Sequence, residues 1–371
     1  MKIPFFKQNI GQKEQRKIED ILNNSTLAVE TLESSCEDFL GASFALAASH
    51  GTAALHLAML AIDLKRGDKV VCSVNAHPSV PEVVRHFDAE PIFIDVDEWT
   101  YNIDLDKLES YLEEHSVKKL KAVIVSYIAG QSVDIDRLYN IGKIYNVKII
   151  EDAADAFGAT YQGKRIGSLG ADITCFSFSP YLKQSVSNGG LFVTDDEELY
   201  ERAALLRNHA MVYDEDDLGY IYDVVDIGNK YTMSPLEAAY NDAQLSRVPS
   251  AIKRQQEIAA TYNEKLKAIS HITLPEVHQD HSYSNYIIKI DKNRDSFAKS
   301  MLDSGIETGL HYIPLHLMSY YKSKYSLRIN DFPVALRNFQ QVLSLPIYEA
   351  LSDKEVTFIC KTIIEIADKR V

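Results

Sequence analysis

Between residues 43 and 194, short apolar runs alternate with longer stretches of helical period, and this alternation restricts the fold more than any other feature. The runs are SFALAAS (43–49), KVVCSV (69–74), PIFIDV (91–96) and KAVIVSYI (121–128), then Val147 to Ile150, Ile173 to Phe178 and Leu191 to Val193. Helical patterns begin at Ala53 and recur at 79–88, 104–115 and 134–145. Strands alternating with helices predict a largely parallel sheet in an α/β fold. Such sheets place their chemistry at the carboxyl ends of the strands.

Two of those ends carry reactive groups. The run from Val147 ends at Asp152, and the run from Ile173 ends in a serine-rich loop that holds Lys183, ahead of Gly189 and Gly190. A carboxylate and an amine delivered to one place suit pyridoxal phosphate. Its aldehyde joins a lysine amine, and its ring nitrogen keeps a proton beside a carboxylate. The lysine reacts as the free amine, so its surroundings must depress its pKa. Taken singly, Asp152 reads as a cap or turn residue and Lys183 as a solvated charge.

Ser49 to Thr52 form a small polar turn between a strand and an apolar helix. Backbone N–H groups and the helix dipole face an anion there, and Gly51 permits close approach. The same turn alone is a plain cap by Ser49 or Thr52. His77, just past the strand 69–74, reads either as a ring stacked on a flat cofactor or as a turn histidine.

At 371 residues, two domains are expected. The net charge of −14 argues against nucleic acid or an anionic membrane as partner. Cys36, Cys72, Cys175 and Cys360 are widely spaced with no CxxC pair. They predict reduced thiols of a cytoplasmic protein, with no disulfide framework and no metal site. The first residues lack the apolar core of a signal peptide, and no run of about 18 apolar residues suggests a membrane span.

Further helices are expected at 12–24, 30–40, 196–209, 233–248, 250–268, 294–304 and 352–369, and strands at 270–274 and 284–290. Ser234 and Pro235 mark one helix start. Residues 212–226 read as a surface loop or short hairpin. The joint near Pro249 divides a large domain, 1–245, from a small α+β domain, 246–371.

Several segments together resemble the DegT/DnrJ/EryC1/StrS family of pyridoxal-phosphate sugar aminotransferases. They include SHGTAALHLAMLAIDLKRGDKVV, IIEDAADAFGATYQGKRIGSLG, CFSFSP, NGGLFVTDD, MSPLEAAYNDAQLSRV, LHYIPLHLMSYY and FPVALRNFQQVLSLPIY. The resemblance implies a fold-type I architecture: a large domain around a mostly parallel, seven-stranded-type sheet, plus a smaller C-terminal α+β domain. It implies a homodimer with a shared site and an amino transfer from glutamate to a nucleotide-linked keto sugar. Pyridoxal 5′-phosphate is the implied cofactor, with pyridoxamine 5′-phosphate as its intermediate form.

Carried onto this chain, Asp152 pairs with the ring nitrogen, Gly51, Thr52 and Ser177 bind the phosphate, and His77 takes the stacking position. Arg207, His209, His311 and His316 fall in family-like segments on the substrate side. The departures gather at the cofactor. Leu182 occupies the aligned lysine position, with Lys183 one residue later. Ser179 stands for a histidine, and Asp155 for the usual glutamine or histidine. Lys230 stands where an asparagine of the partner subunit would touch the phosphate. The alternatives to an aminotransferase are a dehydratase-type member, and a catalytically altered homologue that only binds a sugar nucleotide or a partner.

Overall fold

The computed structural model describes residues 1–23, 27–115, 118–178, 187–213, 220–276 and 280–369. Helices α1 (Gln12–Asn23) and α2 (Ala28–Leu40) lead into β1 (Phe44–Ala48) and α3 (Gly51–Ala61). Next come β2 (Lys69–Ser73), α4 (Ser79–Arg85), β3 (Glu90–Ile94), α5 (Leu105–Glu114), β4 (Leu120–Ser126), α6 (Ile135–Tyr145) and β5 (Lys148–Asp152). A small hairpin, β6 (Thr160–Tyr161) and β7 (Lys164–Arg165), precedes β8 (Ile173–Ser177) and β9 (Gly190–Thr194). Then follow α7 (Glu197–Leu206), the hairpin β10 (Met211–Tyr213) and β11 (Tyr222–Val224), α8 (Pro235–Leu245) and α9 (Val248–Leu266). The chain finishes with β12 (Ile272–Thr273), β13 (Tyr286–Ile290), α10 (Arg294–Asp303), α11 (Ser319–Lys324), α12 (Pro333–Gln341), β14 (Val342–Leu345) and α13 (Asp353–Asp368).

The central sheet has seven strands in the order β1-β9-β8-β5-β4-β2-β3. The β3, β2, β4, β5 and β8 neighbours pair in parallel, while β9 runs antiparallel to both β8 and β1. Helices cover both faces, which is why the strands read as continuous apolar runs. Val70, Cys72, Ile124 and Ile150 point into one core, and Val71, Val123, Val125 and Ile149 into the other. The parallel register sets Ser126 opposite Asp152, and Asp152 opposite Cys175.

The C-terminal unit packs α9, α10 and α13 on the antiparallel sheet β12-β13-β14, around Tyr262, Ile288 and Ile359. Strand β14 lies in a segment whose pattern had suggested no element. Two exchanges stitch the units together. Ile3 bridges to Ile306 and is buried in the C-terminal core, worth roughly 2 kcal/mol for a side chain of that size. Leu315, Tyr321 and Ala335, late in sequence, pack into the core of the large sheet.

Local signals work as expected at α8, where Ser234 and Glu237 form a capping box with Pro235 in the first turn. Among the described residues, no helix is long and apolar enough to cross a membrane. None of them form a metal-type cluster of histidine, cysteine and carboxylate groups.

Candidate functional site

Asp152 closes β5 at the carboxyl edge of the sheet and is buried. The hydroxyl of Ser126, at the end of β4, donates to its Oδ2 at 2.8 Å. Burial pushes the pKa up to about 6; the Ser126 bond opposes the shift, and the nearby Asp155 charge adds to it. A carboxylate in this state gains most from an N–H⁺ placed against it.

The turn before α3 lies nearby. The side chain of His50, not of Ser49 or Thr52, caps this helix: its Nδ1 accepts from Ala53 N at 2.9 Å. The N–H groups of Gly51 and Thr52 have no acceptor among the described residues. Ser177 stands against this turn, so that a Cβ on Gly51 would fall 2.7 Å from the Ser177 Cβ. A Cβ on Gly190 would fall 2.4 Å from the His50 carbonyl oxygen. Only glycine fits at these two contacts, which leaves helix-start N–H groups and the Ser177 hydroxyl around one space. That donor set suits a phosphate.

A cavity of about 280 Å³ opens beside it, lined by Ala154, Asp155, Ser177 and Phe178 of the large unit and by Ser282 and Ser284 of the small one. His77 is half-buried beyond the end of β2. Its Nδ1 is 2.8 Å from the Ser79 hydroxyl, and burial holds its pKa below the usual value. Its ring meets that of Tyr312 edge-on at 6.3 Å. The Tyr312 hydroxyl donates to Asp155 Oδ2 at 3.2 Å. Tyr312 therefore links Asp155 and His77. Tyr312 and Ser126 were missed from sequence. Tyr312 lies in the LHYIPLHLM segment, between two histidines that drew attention instead, and only the parallel register of β4 and β5 singles out Ser126.

The structure draws together Gly51, Thr52, Ser177, Asp152, Asp155 and His77. Lys183 lies outside the described residues. Lys230 is exposed and donates to Asn208 Oδ1 at 2.8 Å. Its neighbour Tyr231 accepts from Ser49 N, so Lys230 flanks the anion turn from outside. Arg207 is engaged within the fold: it pairs with Glu33 and donates to the Ala47 carbonyl at 2.9 Å. Burial outweighs that pairing and leaves the Glu33 pKa raised. His209 is exposed in a left-handed turn conformation, φ 59°. His311 and His316 are core residues, 1% and 0% exposed; the first contacts Ser344 Oγ at 2.8 Å and the second the Ile329 carbonyl at 3.2 Å.

The sequence profile of the DegT/DnrJ/EryC1/StrS aminotransferase family matches residues 8–364. The chain is 32% identical to the spore coat polysaccharide biosynthesis protein SpsC of Bacillus subtilis, over 98% of this chain and 97% of that one. It is 28% identical to the GDP-perosamine synthase of Escherichia coli O157:H7, over 98% of each. Its fold superimposes on the PMP-form of a putative sugar aminotransferase, Spr1654 from Streptococcus pneumoniae, with a TM-score of 0.92, 27% identity and all of both chains covered.

Proposed function

The chain belongs to the DegT/DnrJ/EryC1/StrS aminotransferase family, and from that premise we propose that it transfers an amino group from glutamate to the keto carbon of a nucleotide-linked sugar, with pyridoxal 5′-phosphate as cofactor. The observation that carries this reading is the placing of a buried Asp152, whose carboxylate gains from a cation beside it, near the glycine-lined turn at Gly51, Thr52 and Ser177. One end fits a protonated ring nitrogen and the other a phosphate. The likeness to a nucleotide-sugar enzyme, GDP-perosamine synthase, supports the substrate class.

When bound, the cofactor supplies an aldehyde for amine exchange and an electron-withdrawing ring. Asp152 holds the proton on the ring nitrogen. The N–H groups of Gly51 and Thr52, with the hydroxyls of Thr52 and Ser177, hold the phosphate, and Lys230 adds positive charge at its outer edge. His77 packs on the ring, and Asp155 sets a second carboxylate beside it. Lys183 supplies the amine, and its Nζ moves the proton from the donor's α-carbon, as base and then as acid. His209 is the substrate-side candidate that reaches solvent. Arg207, His311 and His316 have no substrate contact in this reading, because Arg207 is committed to Glu33 and the two histidines are buried in the core.

The partner is a second copy of the chain. Val212, Tyr213, Tyr222, Val224 and Ile227 expose an apolar strip along the β10–β11 hairpin beside Lys230, with Ile227 86% exposed. Such a strip favours burial against another protein surface. The four cysteines are all buried and unpaired, which fits a cytoplasmic enzyme.

The test is to load the protein with pyridoxal phosphate and follow its visible spectrum on addition of glutamate, then of nucleotide-linked keto sugars, with mass detection of an amino sugar. K183A is expected to abolish both steps. Wild-type protein that binds the cofactor but aminates no keto sugar would sink the substrate assignment. Sedimentation checks the dimer.

A further inference from the structure

Glu151 immediately precedes Asp152, and the chemistry above gives it no part. It leaves β5 on the opposite face and is 0% exposed. The hydroxyls of Tyr127 and Tyr139 both donate to its Oε1 at 2.7 Å, and Thr174 donates to its Oε2 at 2.7 Å. These donors come from the end of β4, from α6 and from β8, so one carboxylate ties four elements together. Among the described residues, no lysine, arginine or histidine pairs with it.

The clamp reaches the cofactor face through the backbone. Tyr127, held by its hydroxyl to Glu151, gives its N–H to the Asp152 carbonyl at 3.0 Å. Ser126, the residue before it, supplies the hydroxyl on the Asp152 carboxylate. Thr174 lies opposite Glu151, while the next residue, Cys175, lies opposite Asp152 and its carbonyl accepts from Ala153 N at 2.8 Å. Releasing Glu151 frees both neighbours of Asp152. Burial raises the pKa of Glu151 more than its three donors lower it, so its charge is held at a cost to stability. Groups kept at such a cost concentrate at functional sites.

We propose that Glu151 is a positioning residue for the cofactor site, fixing the Asp152 carboxylate by clamping the ends of β4, β5 and β8 from behind. This rests on Asp152 being the partner of the ring nitrogen. The other titratable groups around the pair are Tyr161 near Tyr127, Asp172 near Tyr139, Cys175 between the two carboxylates, and Asp155 on the cofactor face.

The test compares wild type, E151L and E151Q in two ways. The apo chain, labelled with ¹³C-aspartate, reports the titration midpoint of Asp152, expected at about 6 in the wild type. Pyridoxal phosphate with a ¹⁵N ring reports protonation and affinity. E151L deletes all three acceptor contacts, and is expected to move the Asp152 midpoint, lower ring protonation and weaken cofactor binding roughly tenfold, as loss of a ligand-orienting group does. E151Q keeps an oxygen for both tyrosines and lets the Thr174 hydroxyl turn to accept, so it is expected to match the wild type. A fall in thermal midpoint alone in E151L overturns the proposal, as does an E151Q shift equal to that of E151L, which would mean that charge and not position matters. Should E151L fail to fold, Y139F and T174V each remove one donor; smaller shifts of the same sign support the clamp, and none overturns it. A ring nitrogen unprotonated in the wild type would instead refute the assignment of Asp152 itself.

Discussion

Glu151 and Asp152 are consecutive carboxylates on one strand, both buried, and the two faces of β5 treat them differently. Glu151 meets three hydroxyls from three elements. Asp152 meets one hydroxyl, the backbone N–H of Ala154 and a second carboxylate, Asp155. The lone pairs of Glu151 are committed within the fold. Asp152 has no cationic partner among the described residues, and burial pushes its pKa up to about 6. Burial alone therefore does not mark a functional acid. What separates the pair is whether the fold has already supplied the group's partners, since an acceptor left short of donors inside a protein is where a cationic ligand gains most.

The comparison breaks most visibly at Asp152. D152N is expected to lower kcat by about 100- to 1,000-fold, the size of losing one key electrostatic contact. The same change is expected to stabilise the apo protein. A carboxylate whose folded pKa lies near 6, above its unfolded 3.8, is destabilised once ionised, so wild-type stability falls as pH climbs through that window. The gap, about 3 kcal/mol for two pKa units, opens between pH 4 and 6, stays level above, and closes below. Urea melts of the apo wild type and apo D152N at pH 4 and 7 check it; a difference between the two proteins that is the same at both pH values would remove the argument.

Arg207 offers a control away from the cleft. R207A strands the mostly buried Glu33, and is expected to lose about 3 kcal/mol of stability while leaving KM for the keto sugar unchanged. A raised KM with wild-type stability would return Arg207 to the substrate side. G190A probes the phosphate end. Its Cβ would press on the His50 carbonyl, so the turn must shift at a cost of about 1–3 kcal/mol, and pyridoxal phosphate affinity should fall with it. Fluorescence titration of the cofactor measures this.

The smallest effects sharpen the Asp152 face itself. S126A removes the hydroxyl that lowers the Asp152 pKa, and D155N removes the charge that raises it. Their shifts should have opposite signs, upward for S126A and downward for D155N, each worth about 1 kcal/mol. Carboxyl ¹³C titration of the two variants reads both; shifts of the same sign would mean that the carboxylate is held by something else.

Much of this arrangement was legible in the chain. Alternating apolar runs and helical periods implied the parallel sheet, because only a sheet covered on both faces reads that way. The end of β5 exposed Asp152 as a strand-terminal acid, and the Gly51–Thr52 turn was visible as a glycine before an apolar helix. Other features lay beyond pattern. His50 caps α3 although histidine is a poor signal for a cap. His311 and His316 looked like site groups because they fall in family-like segments, yet each is turned into the core, and Tyr312 between them meets Asp155 instead. Arg207 looked available until the fold brought Glu33 to it across 174 residues.

The sequence by itself determined the strands and helices around the large sheet and their order, the αβ alternation and the placing of an acid and a phosphate-type turn at strand ends. Those follow from periodicity, local capping and glycine's freedom, which act over a few residues. Tertiary structure alone decided that Ser126 rather than another hydroxyl meets Asp152, that Ile3 completes the C-terminal core, and that Glu151 is saturated while Asp152 is not. Each of these depends on strand register and on contacts between residues far apart in the chain, where the choice rests on which donors the packed sheet brings within about 3 Å of a buried acceptor.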